Sequence, residues 1–351
     1  MKAAANIRLK PKERLALLGD LNTMLTAGIP IIEAIEALEQ DAKNDLKATL
    51  YYLRRGLNNG EPLSKIMVRM PKAFDTITIN LIRAGEAGGT LEETLSDIVT
   101  STKKEIAFND TIRTATIYPL FVMSVFMAIV LLMLTFVIPR VAKVFLNLRV
   151  NIPPVTRASI AVSDFFISYW FIIIPVLVLF LVGFMLFFKT HKRAIVRRLL
   201  TLPGLRKLGM NIDLTRFNRS FGLLMHSGVP VQEALRLSRE VVQRKDIDDM
   251  IRRMKQDVES GLPLSTHLRD FDGVPAIMAR SIETAEKSGT LEKTLQQLAS
   301  HFDNEVSEQI KVLTALLEPV LILSIGLLVG GLMVTIIAPI YNLISQLSPQ
   351  G

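Results

Sequence analysis

Two glutamates stand beside glycine turns in this chain: Glu86 in "AGEAGGTLEETL" (Ala84–Leu95) and Glu286 in "TAEKSGTLEKTL" (Thr284–Leu295). An acid next to a permissive backbone can transfer protons only with a second polar group in reach. The sequence pairs neither glutamate with such a group in a catalytic pattern. Two roles remain open for both residues, a carboxylate that caps or pairs at a helix end and a group that faces a partner. The four histidines, His191, His226, His267 and His301, lie far apart without metal-ligand spacing. Cysteine is absent, which removes disulfides, thiolate metal sites and a cysteine nucleophile. No phosphate-cradling G-x-x-x-x-G-K-[ST] loop, dinucleotide glycine fingerprint or G-x-S-x-G elbow occurs. The expectation is a protein with no catalytic, cofactor-binding or metal residues.

The elements that would position these glutamates are helices. Leu15, Leu18, Leu21 and Leu25 fall at helical spacing, as do Phe217, Phe221 and Leu224. Gly28 and Gly228 suit the left-handed residue that ends a helix, and Pro30 and Pro230 suit the start of the next. The opening stretches follow the same grammar. Gly88-Gly89 and Ser288-Gly289 stop a helix, and Thr90 and Thr290 are N-cap candidates for its successor. Glu93 stands where it would close a capping box with Thr90. Lys293 replaces it in the second stretch, leaving Glu292 to favour the positive helix end.

These correspondences belong to a long internal repeat. "LNTMLTAGIPIIEAI" from Leu21 aligns with "FGLLMHSGVPVQEAL" from Phe221, a spacing of 200 residues. "NGEPLS" from Asn59 meets "SGLPLS" from Ser260, and Pro119 and Pro139 meet Pro319 and Pro339. The repeated unit is therefore a polar helical bundle followed by an apolar stretch.

Three such stretches exceed the roughly 20 residues that cross a bilayer. They are "IYPLFVMSVFMAIVLLMLTFVIP" from Ile117, "FFISYWFIIIPVLVLFLVGFMLFF" from Phe165 and "PVLILSIGLLVGGLMVTIIAPI" from Pro319. Their interiors carry no charge, unlike those of ion-coupled transporters. Twelve Lys and Arg flank the ends assigned to the cytoplasm and four flank the other ends, which places the N-terminus inside. Duplication gives the same topology, because two copies that enter the membrane alike need a return span between them. The cluster Lys189, Lys192, Arg193, Arg197 and Arg198 reads as an anchor on anionic lipid. The net charge of +8 does not read as nucleic-acid binding, since no stacking aromatics are interleaved with these cations. Gly326 and Gly330 in "GLLVG" would allow close helix packing in the membrane.

The expected fold is an all-α membrane protein with two homologous cytoplasmic helical bundles and three transmembrane helices. The expected layout is a first bundle over 1–112, a span over 114–139 and a periplasmic loop over 140–164. A second span over 165–188, a second bundle over 189–311, a third span over 314–341 and a periplasmic tail over 342–351 complete it.

"AGIPIIEAI" with "SGVPVQEAL", "GEAGGTLEETL" with "AEKSGTLEKTL", and the loop "NIPPVTRASI" resemble the inner-membrane platform proteins of type II secretion and type IV pilus systems, the secretion F family. The resemblance covers about Lys12 to Leu343. It implies about six helices in each bundle and a homo-oligomeric platform in the bacterial inner membrane. The implied partners are a cytoplasmic hexameric ATPase, pilins or pseudopilins, and other inner-membrane assembly proteins. The chain resembles the short form, without the additional N-terminal segment of many relatives. Rival readings are a small transporter or channel and a membrane-anchored scaffold.

A reporter active only outside the cytoplasm is expected to work when fused after Arg149 or at Gly351, and to stay silent when fused at Met1 or after Arg198. Activity in the reverse pattern would overturn the assigned orientation.

Overall fold

The computed structural model describes residues 4–140, 161, 168–169, 206–271 and 273–347. The regular structure of these residues is helical. Most of the expected second span and of the loop before it, the basic cluster from Lys189 to Arg198 and the last residues of the tail lie outside the described residues.

In the first copy, α1 (Pro11–Thr26), α2 (Ile31–Asp41), α3 (Asn44–Asn58), α4 (Leu63–Val68) and α5 (Thr76–Gly88) precede a long helix, α6 (Leu91–Leu132). In the second, α7 (Arg206–His226), α8 (Val231–Ser238), α9 (Lys245–Glu259) and α10 (Ala276–Ser288) precede the still longer α11 (Leu291–Leu347). The counterpart of α4 is reduced to turns and one 3-10 segment, Leu268–Asp270.

The breaks between these helices follow from their glycines and prolines. Gly28 and Gly228 have φ of 80° and 73°, which glycine adopts without the clash that a Cβ would bring. Pro30 and Pro230 sit one residue earlier than the first-turn position, at the N-cap itself. Their carbonyls accept from the N–H groups of Ala34 and Ala234, at 3.0 and 2.9 Å. The proline ring therefore removes a donor where the helix has no use for one.

Amphipathic spacing does the rest. Leu17, Leu18 and Leu21 of α1 are buried with Leu81 and Ile82 of α5 and Leu95 and Ile98 of α6. In the second copy Leu214, Phe217, Phe221 and Leu224 of α7 are buried, and the rings of Phe217 and Phe221 stack at 5.5 Å. On α9 the buried set Ile247, Met250, Ile251 and Met254 repeats at three and four residues. Each such side chain contributes about 1.5–3 kcal/mol by leaving water.

The chain divides into two compact units. One joins Met1–Thr111 with Arg197–Glu308, and the other joins Ile112–Val196 with Gln309–Gly351. The polar parts of both copies fall in the first unit.

Both α6 and α11 continue as helix past the division at Thr111/Ile112 and Glu308/Gln309. Among the described residues, two helices are long and apolar enough to cross a membrane, Leu91–Arg140 and Leu291–Gly331, with mean hydropathies of 2.9 and 2.4 in their most apolar windows. They are not core helices of a soluble protein. Phe121, Leu323 and Leu327 are 65 %, 66 % and 78 % exposed, far outside the range of buried side chains. The helix runs through Pro119 and passes through one π-turn at Met133–Val137. A Cβ built on Gly326 or Gly330 meets no atom of the chain within 4 Å.

The α5–α6 hairpin closes more tightly than that reading of the sequence required. A Cβ at Gly85 would lie 2.4 Å from Thr94 Oγ1, so the first copy has no room for a methyl group there. The second copy carries Ala285 at this position, buried. Gly85→Ala is expected to destabilise the protein by about 1–3 kcal/mol through overpacking, read as a lowered melting temperature in detergent. An unchanged melting temperature would show that Thr94 yields freely.

Candidate functional site

The paired turns are built alike. Gly89 and Gly289 have φ of 70° and 69°, in the left-handed region, and each follows the last residue of its helix. The N–H of Thr90 donates to Gly85 O at 2.9 Å, and that of Thr290 donates to Ala285 O at 2.9 Å. These bonds wrap the chain back over the helix end and satisfy carbonyls that would otherwise lack donors.

The same bonds exclude the expected capping box. Thr90's N–H is already given to Gly85, so it is not free for Glu93. Thr90 and Thr290 start the next helix through their carbonyls instead, which accept from Thr94 and Thr294 at 3.0 and 3.1 Å. Ser288 and Thr290 share a hydrogen bond between hydroxyls, at 2.7 Å.

Inside the bundle, Glu86 caps the start of α4 and Glu286 holds the turn that stands in its place in the second copy. Glu86 accepts from the N–H groups of Leu63 and Ser64 and, at 2.5 Å, from the Ser64 hydroxyl. Glu286 accepts from Leu264 N–H at 2.6 Å, Ser265 N–H at 3.3 Å and Ser265 Oγ at 3.0 Å. A carboxylate that accepts several such bonds at a helix start offsets the positive end of the peptide dipoles. The repeated "PLS" and the repeated "GE"/"AE" are thus two halves of one contact.

The structure adds a seam between the copies that the sequence motifs did not mark. It runs along α7 against α6. Arg216 donates to Asn109 Oδ1 at 3.1 Å. Arg219 lies over the Phe108 ring, 5.3 Å from its centroid, and pairs with Asp303 of α11 at 2.9 Å. His226, in the last turn of α7, places Nε2 3.1 Å from Asp97 of α6 and Nδ1 2.7 Å from Glu292 in the first turn of α11. Glu292 thereby has a partner as well as a favourable helix end.

Electrostatics follow from this packing. Burial lowers the Arg219 guanidinium below its usual range, against the pull of Asp303 and Glu105. Burial raises the Asp213 carboxyl, although it accepts from the N–H groups of Gln243 and Arg244 at 2.8 and 2.7 Å. Burial opposes charge on His226, but the hydrogen bond to Glu292 and the charges of Asp97 and Glu93 outweigh it and hold its pKa above the ordinary histidine value. Burial likewise raises Asp97, helped by Glu93 and Glu292 and opposed by His226.

A cavity of about 550 Å³ opens on the seam. Its charged lining is balanced, with Arg14, Arg216 and Arg219 against Asp75, Glu105 and Glu240. Among the described residues no three His, Asp or Glu side chains converge as metal ligands. The arrangement offers helix joints and a polar seam, with no assembled set of reacting groups in view.

Comparison with known proteins places this geometry. The model of the family described as "Type II secretion system (T2SS), protein F" matches twice, over residues 17–139 and 217–339. The chain belongs to the secretion F family. The two matches are offset by 200 residues, the spacing of the turns themselves. The chain is 31 % identical over 327 residues to a type 4 fimbrial assembly protein PilC of Pseudomonas putida, covering 92 % of this chain and 82 % of that one. It is 28 % identical over 334 residues to a type IV pilus assembly protein PilC of Thermus thermophilus, covering 94 % and 82 %. A type II secretion system protein F of Pseudomonas aeruginosa is 28 % identical over 328 residues, covering 92 % and 80 %. Pilus-assembly and secretion relatives thus match over similar lengths.

Within this secretion F chain, the seam residues were legible only as differences between copies. Ala16, Gly19 and Thr26 stand where the second copy has Arg216, Arg219 and His226, and Gln297 stands where the first has Asp97. Polar residues that interrupt an otherwise matching repeat are the signal that could have found them. The caps give a testable outcome. Glu86→Ala and Glu286→Ala each strand two partly buried backbone donors, at a helix start and at a turn respectively, with an expected cost of about 1–3 kcal/mol apiece. Thermal unfolding should show both losses, and no loss for either would sink the capping role.

Proposed function

We propose that this chain is a non-enzymatic inner-membrane platform for assembling a type IV pilus or a type II secretion pseudopilus. In this reading a cytoplasmic hexameric ATPase acts on the polar unit, and the apolar spans pass the movement to pilins or pseudopilins for insertion or extraction. The spans are three, parallel for the first and third. Each copy contributes a bundle of about six helices if the N-terminal part of the long helix is counted. Other inner-membrane assembly proteins and further copies of the chain complete the platform, with Gly326 and Gly330 as contact points between copies.

One observation carries the mechanical part. In both copies a left-handed glycine is the last break before a helix that continues unbroken into the apolar stretch, at Gly89 for α6 and Gly289 for α11. An uninterrupted helix transmits rotation and tilt along its length, since its backbone hydrogen bonds resist bending. A turn at its base is where the direction of that helix is set. The names of the relatives, PilC and secretion protein F, support the choice of machine.

The double change Gly89→Pro with Gly289→Pro removes the left-handed conformation, since proline holds φ near −65°. Gly89→Asn with Gly289→Asn preserves it, because asparagine tolerates positive φ. The Asn pair should support filament assembly and the Pro pair should abolish it, with both proteins recovered from the membrane. Equal filament counts would overturn the joint. Cross-linking should recover a hexameric ATPase and pilin-like subunits with the wild-type chain. Solute flux through liposomes holding the purified chain alone would favour a transporter instead.

A further inference from the structure

His226 is the one seam group that can lose its charge near neutral pH. Its two ring nitrogens face carboxylates on two different long helices, Asp97 of α6 at 3.1 Å and Glu292 of α11 at 2.7 Å. A neutral imidazole has a single N–H, so it can donate to only one of them. The bridged geometry therefore belongs to the imidazolium.

The surroundings concentrate the effect. From α6, Glu93 adds a third carboxylate within electrostatic reach of the ring, while α11 contributes Glu292. Arg219 lies two turns away on α7, and Lys104 and Asp303 line the same cleft from α6 and α11. Removing the proton leaves Glu93, Asp97 and Glu292 facing one another without the cation between them. The other seam contacts, Arg216 with Asn109 and Arg219 with Phe108 and Asp303, do not involve the imidazole. Loosening is thus confined to the end of the seam where α6 and α11 begin, directly after Gly89 and Gly289.

We propose that His226 is a proton-operated clasp that ties the bases of α6 and α11 together when protonated and releases them when neutral. It exists once per chain, since the repeat puts Thr26, Gln297 and Lys293 opposite His226, Asp97 and Glu93. The sign follows from the raised pKa of His226. Its contribution is fully present below the unfolded-state value of about 6.5 and is lost as pH rises through the higher folded-state value. The clasp is a property of the fold and stands apart from the platform reading.

The test is hydrogen exchange of the full chain in detergent between pH 6 and 8, corrected for intrinsic rates, over peptides carrying Asp97 and Glu292. The wild type should lose about two- to fivefold protection there as pH rises, the scale of a partly exposed ion pair. His226→Lys, a fixed cation, should keep its protection across the range. His226→Gln should be low and flat. A wild type whose protection does not change, or that matches His226→Lys throughout, overturns the clasp. Should His226→Gln fail to fold, NMR titration of the wild-type ring decides. A midpoint above 6.5 upholds the proposal, and one at or below 6.5 overturns it.

Discussion

A carboxylate held against the backbone at the start of α4, or at the turn in its place, organises each copy of the repeat. Glu86 reaches Leu63 and Ser64, and Glu286 reaches Leu264 and Ser265. Both donors and acceptor sit in partly buried positions, where an unmet backbone N–H is costly. The bond therefore fixes the last helix before the turn, α5 or α10, to the middle of its own bundle. The left-handed glycine comes three residues later, so the direction in which the long helix departs is set by a rigid base.

The two copies are alike in these bonds and unlike where they meet. The second copy brings Arg216, Arg219 and His226 to the seam, and the first answers with Asn109, Phe108 and Asp97. The same places in the opposite copies hold Ala16, Gly19, Thr26 and Gln297. Repetition preserved the turns and the Glu86 and Glu286 contacts within each copy. Divergence wrote one contact, between unlike faces, that joins them. A chain with two identical copies would have carried the charged face twice and left one set unmatched.

The expected helices, their breaks at Gly28, Gly89, Gly228 and Gly289, and the two described apolar helices were all readable from local patterns. Such features depend on backbone sterics and on hydrophobic period, which act within a few residues. The partner of Glu86 was not readable, because Leu63 lies 23 residues away and any exposed donor would have served equally well on paper. For the same reason the capping box at Thr90 looked available. Its donor was spent on Gly85, a carbonyl that sequence spacing alone does not rank above a side chain.

By itself, the sequence determined that this is a duplicated helical protein with long apolar helices, and that a glycine turn precedes two of them. Those properties follow from residue types at fixed short spacings. Only the tertiary structure decided that both polar halves form one unit, that Glu86 and Glu286 turn inward, and that His226 stands between two carboxylates. The choice among many possible partners for a charged side chain is made by which helix faces pack against each other. That packing is a sum over apolar contacts from the whole chain, and no short stretch contains it.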